Sequence, residues 1–156
     1  MMNILKLAVS LVGCFLVAFL GSAFTMPSIQ TWYLELNKPF FNPPNWIFGP
    51  VWTTLYLMMG IALYLIWNKN LKNKKKDAAI KMFILQLVLN LFWSLAFFGL
   101  HQPFLALMTI IALWLSIFAT IKYFSKISKT AAYLLYPYIF WVSFASILNL
   151  FIVILN

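Results

Sequence analysis

Five stretches of the chain, 4–24, 46–67, 78–100, 103–124 and 129–155, are long and apolar enough to cross a lipid bilayer, and little chain is left between them. A helix rises about 1.5 Å per residue, so roughly 20 residues span a hydrocarbon core about 30 Å thick. That core offers no water to the backbone. Each amide must find a partner internally, which a helix provides and an isolated strand does not. The alternation over about 10 residues that marks a membrane β-barrel is missing. With 65% of residues hydrophobic and 8% charged, the chain has more apolar surface than a soluble domain of 156 residues could bury. The expected fold class is an all-α membrane protein, a single domain over 1–156 built as a bundle of five transmembrane helices.

The first stretch is longer than the apolar core of an ordinary signal peptide, so it reads as a helix of the mature fold. Residues 25–45 break the pattern with Pro27, Pro39, Pro43 and Pro44, yet carry Trp32, Tyr33, Phe40 and Phe41. A disordered linker would lack those aromatics, so an ordered lid is expected. Pro50 falls in the first turns of the second helix, where a missing amide hydrogen does least harm. His101 and Gln102 form a very short turn, with a capping or solvated role expected for the histidine. Pro137 should kink the fifth helix.

The net charge of +9 comes from 11 lysines set against Glu35 and Asp77. The lysines sit at the ends of apolar stretches and form no basic face with interleaved aromatics, so nucleic acid is not the expected partner. Lys6, the 69–81 cluster that includes Lys72, and Lys122, Lys126 and Lys129 fall on the side of the N-terminus; Lys38 alone falls on the other. The positive-inside bias then places the N-terminus in the cytoplasm and the lid and C-terminus outside. Short termini and an arginine-free, Lys/Asn/Ile-rich composition suggest a bacterial plasma membrane.

Gln86, Asn90, Trp93 and Phe97 recur at i, i+4, i+7 and i+11, one stripe of the third helix. Pro137, Trp141, Phe144, Ala145, Leu148 and Asn149 make a second stripe on the fifth, and Trp52 and Tyr56 lie one turn apart on the second. Converging stripes would enclose an aromatic pocket with a few hydrogen-bonding groups. Alternatively, Gln86, Asn90 and Asn149 only tie helices together, at roughly 0.6 to 2 kcal/mol per bond. Small residues at Ser10, Cys14, Ala18 and Ser22 permit close helix approach, either inside the bundle or between two copies. The spans carry no set of acidic, histidine or cysteine side chains suited to ion coupling, hydrolysis or a metal centre, and no metal is expected.

The segment WYLELNKPFFNPPNWIFGPVWTTLY at 32–56, with QLVLNLFWSLAFFG at 86–99 and LLYPYIFWVSFASILN at 134–149, resembles the signature of the TspO/MBR family, the tryptophan-rich sensory and translocator proteins. The resemblance covers essentially the whole chain. It implies a five-helix bundle, commonly a homodimer, that binds porphyrins such as protoporphyrin IX and haem, sterols and synthetic benzodiazepine-type ligands. The pocket it implies lies under the lid. Its lining would include Trp32, Tyr33, Pro43 and Pro44 from the lid side, Phe48, Trp52 and Tyr56 from the second helix, Asn90 and Trp93 from the third, and Trp141, Phe144 and Ala145 from the fifth.

Haem or porphyrin would then be a ligand rather than a resident cofactor. By the same resemblance Trp52 and Trp141 are candidates for a catalytic role in light- and oxygen-dependent porphyrin degradation. A third possibility is a regulator acting through partner proteins at the lysine-rich loop, 69–76. The vertebrate pattern for cholesterol near the end of the fifth helix is not matched by LNLFIVILN at 148–156, which weakens the case for steroid transport and leaves sterol-like lipids as weaker candidates.

Overall fold

The computed structural model describes residues 3–70 and 74–156, so residues 71–73 of the basic loop, Lys72 among them, lie outside the described residues. Five apolar helical spans form the bundle, with no strand among the described residues. The first is α1 (Ile4–Ile29), followed in the lid by the short α2 (Trp32–Glu35). A 3-10 turn (Asn45–Ile47) leads into α3 (Phe48–Trp67). The third span is α4 (Lys74–Ser94) with a π turn at Leu95–Gly99, and the fourth is α5 (Pro103–Ser125). The fifth is split into α6 (Lys129–Tyr133) and α7 (Tyr136–Leu155).

The third span starts at Lys74, four residues before the expected 78, and three further features differ in detail from the sequence expectation. α1 runs through Pro27 to Ile29 instead of stopping at 24, because Ser28 is buried and its hydroxyl donates to the Phe98 carbonyl, which holds the last turn in place. The third span ends in a π turn, in which Leu100 N–H reaches back to Leu95 O at 2.7 Å. His101 follows with φ 55, a left-handed residue that stops the helix before Pro103 opens the next one. In the fifth span the bend expected at Pro137 becomes a break at Leu134 and Leu135. The helix restarts at Tyr136, and Pro137 takes a first-turn position where no amide hydrogen is required.

Main helix pairs are α4 with α5, α1 with α3, and α5 with α7. Ser10 and Cys14 are buried at the α1–α3 crossing, so the inner half of the small-residue stripe is an internal contact. Gly60 makes that crossing possible. A Cβ there would lie 2.7 Å from Leu11 Cδ2 and 3.1 Å from Leu11 Cα, and the backbone atom cannot swing aside. Gly60→Val is expected to lower unfolding stability by about 1–3 kcal/mol, the usual cost of overpacking. Thermal unfolding in detergent measures this, and a Gly60→Val variant as stable as the parent would mean that the two helices are not tightly apposed.

The two ends of the bundle differ in chemistry. At one end Lys6 and Lys76 donate to the Trp67 carbonyl, at 3.5 and 2.8 Å, and so cover the exposed C-terminus of α3. At the other end the lid is fastened to the last helix. Asn37 N–H donates to Asn156 Oδ1 at 2.9 Å, and Asn156 Nδ2 returns a bond to Asn37 O at 3.0 Å.

Candidate functional site

A cavity of about 640 Å³ lies in the lid-side half of the bundle, between α1, the start of α3 and the outer half of α4. Phe48, Trp52 and Tyr56 face it from α3, one above another at helical spacing. Asn90 and Trp93 face it from α4, joined by Ser94 and by Phe98 from the π turn. The remaining wall is α1, from Phe15 to Ile29. The volume is in the range that holds a drug-sized or cofactor-sized molecule.

Trp52 is central to the aromatic wall. Its ring centroid lies 5.8 Å from Tyr56, 6.4 Å from Trp93 and 6.3 Å from Tyr138. Trp93 continues the wall by stacking on Phe97 at 5.7 Å. These are the separations at which aromatic pairs attract. Behind the wall runs a buried hydrogen-bond chain. Tyr56 donates to Asn90 Oδ1 at 2.8 Å, Asn90 Nδ2 donates to the Tyr138 hydroxyl at 2.7 Å, and Tyr138 donates to Gln86 Oε1 at 2.8 Å. Trp93 Nε1 donates to Asn149 Oδ1 at 3.2 Å, and Asn149 Nδ2 donates to the Pro103 carbonyl at 2.9 Å. The amides therefore do tie helices together, while Asn90 also faces the cavity.

The stripe on α7 sits elsewhere. Trp141 and Phe144 line a separate groove of about 490 Å³ between α3 and α7, with Pro50, Met58 and Pro137 among its walls. Phe48, which lines the cavity and lies 6.0 Å from Trp141 and edge-on to it, stands between groove and cavity. Trp141 Nε1 is buried without a hydrogen-bond partner. Ala145 is buried in the helix packing and lines neither space.

Lid residues named from the sequence also stand outside the cavity wall, which runs from Ile29 directly to Asn45. Trp32 stacks on His101 with centroids 4.4 Å apart, and His101 Nε2 lies 3.1 Å from the Ser28 hydroxyl. Since that hydroxyl already donates its hydrogen to Phe98 O, it accepts from the imidazole. Tyr33 is buried on Phe97 and Phe98, behind the cavity, and donates to Asn42 Oδ1 at 2.7 Å. Burial pushes its phenol up to about 12 against the opposing effect of that bond, so it stays neutral at ordinary pH. Lys38 is spent on the lid itself: its ammonium donates to the carbonyls of Tyr33, Leu36 and Leu34 at 2.7, 2.9 and 3.3 Å. Pro43 and Pro44 set the turn that starts the 3-10 segment.

The structure thus gathers Phe48, Trp52, Tyr56, Asn90 and Trp93 on one cavity, and leaves Trp32, Tyr33, Pro43, Pro44, Trp141, Phe144 and Ala145 off it. Sequence reasoning missed the α1 wall. Its signal was the spacing of Phe15, Ala18, Ser22, Thr25 and Ile29, one face of a helix whose small members leave a void in the outer half while Ser10 and Cys14 make contact in the inner half.

Comparison with known proteins agrees with this architecture. The TspO/MBR family profile matches residues 10–155. The chain is 48% identical over 155 residues to the tryptophan-rich protein TspO of Archaeoglobus fulgidus, covering 99% of each chain. It is 44% identical over 154 residues to the protein of the same name from Chlorobaculum tepidum, covering 99% of this chain and 98% of the relative. The human translocator protein is 40% identical over 139 residues, 88% of this chain and 79% of the relative. With a profile match over nearly its whole length and relatives this similar, the chain belongs to the TspO/MBR family.

Proposed function

We propose that this membrane protein is a receptor or carrier for porphyrins, protoporphyrin IX and haem among them, and for similar flat, largely apolar molecules, held in the cavity between α1, α3 and α4. The observation that carries this reading is the wall of Trp52, Trp93, Phe48 and Phe98 around a 640 Å³ space, with Asn90 and Ser94 as its buried polar groups. A planar macrocycle gains by stacking on such rings. Its carboxylates meet no lysine among the described lining residues, so they would stay at the rim near Asn45 and Trp46, at the level of the lipid headgroups. We place the lysine-rich end in the cytoplasm and the lid outside a bacterial plasma membrane, on the positive-inside bias.

Titration with protoporphyrin IX in lipid nanodiscs tests the reading. Saturable quenching of tryptophan fluorescence at about one porphyrin per chain is expected, since Trp52 and Trp93 line the cavity. Quenching that rises linearly with porphyrin and matches empty nanodiscs would show partition into lipid alone.

A second reading, light- and oxygen-dependent degradation of the bound porphyrin, is favoured by the place of Trp52 on the cavity wall, where a ligand would meet its indole. An excited porphyrin can sensitise molecular oxygen beside the indole. Trp141 would take part less directly, since Phe48 stands between it and the cavity. Turnover of more porphyrin than there are sites, with a defined product, separates this from passive binding.

A further inference from the structure

The cavity lining is rich in ring faces and poor in groups that bind a metal. Its described residues include no histidine, cysteine, lysine or carboxylate. The one histidine of the chain, His101, is stacked on Trp32 and bonded to Ser28, outside the lining. Most of the oxygen that the lining does carry is engaged. Ser22, Thr25 and Thr53 donate to the Phe19, Gly21 and Gly49 carbonyls of their own helices, at 2.8, 3.0 and 2.9 Å. Tyr56 gives its hydrogen to Asn90 Oδ1, so a tyrosinate at iron would lose that bond and set a charge in a buried wall. The soft donor that remains is the thioether of Met26, in a side chain 59% exposed.

Proteins hold haem iron with a histidine, a cysteine thiolate, a tyrosinate, or a methionine paired with histidine. A lone thioether at the margin of the cavity is none of these, and neutral hydroxyls such as Ser94 are not among them either. On the reading above, that the cavity holds flat macrocycles, we propose that it selects tetrapyrroles whose centre needs no axial ligand. These are the metal-free porphyrin and four-coordinate, square-planar chelates, in preference to haem and five-coordinate chelates. An axial water or anion sits about 2 Å from the metal, well inside the roughly 3.5 Å at which a stacked ring makes contact. Pressing that face against Trp52 or Trp93 therefore means stripping the ligand, and the wall offers the metal nothing in exchange. A metal-free ring loses nothing on either face. The protein then responds to macrocycle that has not received its metal, and finished haem is the weaker ligand.

The test titrates four probes with the same carboxylate edge into the full chain in lipid nanodiscs: protoporphyrin IX, its nickel(II) chelate, its zinc(II) chelate and haemin. Tryptophan quenching reads each, corrected for partition into empty nanodiscs. Protoporphyrin IX and the nickel chelate are expected to bind within about threefold of each other, and the zinc chelate and haemin to bind about tenfold or more weakly. The nickel chelate decides the cause, because it carries a metal that is content with a square plane. Equal affinities for all four probes, or a nickel chelate as weak as haemin, overturn the selection. So does bound haemin with the absorption spectrum of low-spin iron ligated by the protein. Failure of protoporphyrin IX itself to saturate would instead overturn the assignment of the cavity, so the two claims fail separately.

Discussion

Trp52→Ala is expected to weaken protoporphyrin IX binding by roughly 30- to 150-fold, about 2–3 kcal/mol, the loss seen when a central aromatic anchor is truncated. The indole is flanked by Tyr56, Trp93 and Tyr138, so its orientation is fixed before any ligand arrives. Its removal takes away one stacking face and leaves an unfilled space against Tyr56, Trp93 and Tyr138. Trp52→Phe keeps a ring in place and should lose less than about fivefold. The Soret shift of the porphyrin reports binding without relying on the deleted fluorophore. Trp141→Ala gives the comparison: lining only the groove, it should cost less than Trp52→Ala. Equal losses from the two, or no loss from Trp52→Ala, would mean that the macrocycle does not lie against this wall.

Local rules in the chain declared much of the fold in advance. The five spans followed from apolar length alone, because a bilayer admits almost no other solution. The stripe Gln86, Asn90, Trp93 and Phe97 followed from helical period, and all four are buried. What the sequence did not reveal depends on how helices diverge. Trp141 shares a stripe with buried Ala145 and Asn149, yet Phe48 stands between it and the cavity, so it faces a groove instead. Ala18 and Ser22 have the same small-residue signature as Ser10 and Cys14. Only the splay of α1 from α3 above Gly60 turns one pair into packing and the other into cavity wall. Lys38 likewise could be placed on the lid side by counting spans, but its three backbone partners exist only once the lid has curled around it.

Tyr138→Phe should be among the most destabilising single-atom changes the protein can suffer. The hydroxyl is the middle of the chain behind the cavity, accepting from Asn90 and donating to Gln86. Its loss leaves the Gln86 carbonyl oxygen and one Asn90 amide hydrogen without a partner, in side chains that are each 1% exposed. Gln86 retains only a long contact to the Met59 sulfur, 3.8 Å. An average interhelical bond in a membrane contributes about 0.6 kcal/mol, partly because the unfolded helices find other partners in the bilayer. A buried group left unpaired costs more, about 1–3 kcal/mol, and two such groups bring the expectation to about 2–6 kcal/mol. The two estimates are separable by a second substitution. Adding Gln86→Leu removes one stranded group, so Tyr138→Phe with Gln86→Leu should be more stable than Tyr138→Phe alone, although it has lost more hydrogen-bonding capacity. The Tyr138→Phe variant keeps a ring against Trp52, so porphyrin affinity in the folded fraction should stay near parental. Unfolding in mixed micelles measures all three proteins. Additive losses in the double variant would show that the chain contributes ordinary helix-to-helix bonds, and that its role behind the cavity is no more than adhesion.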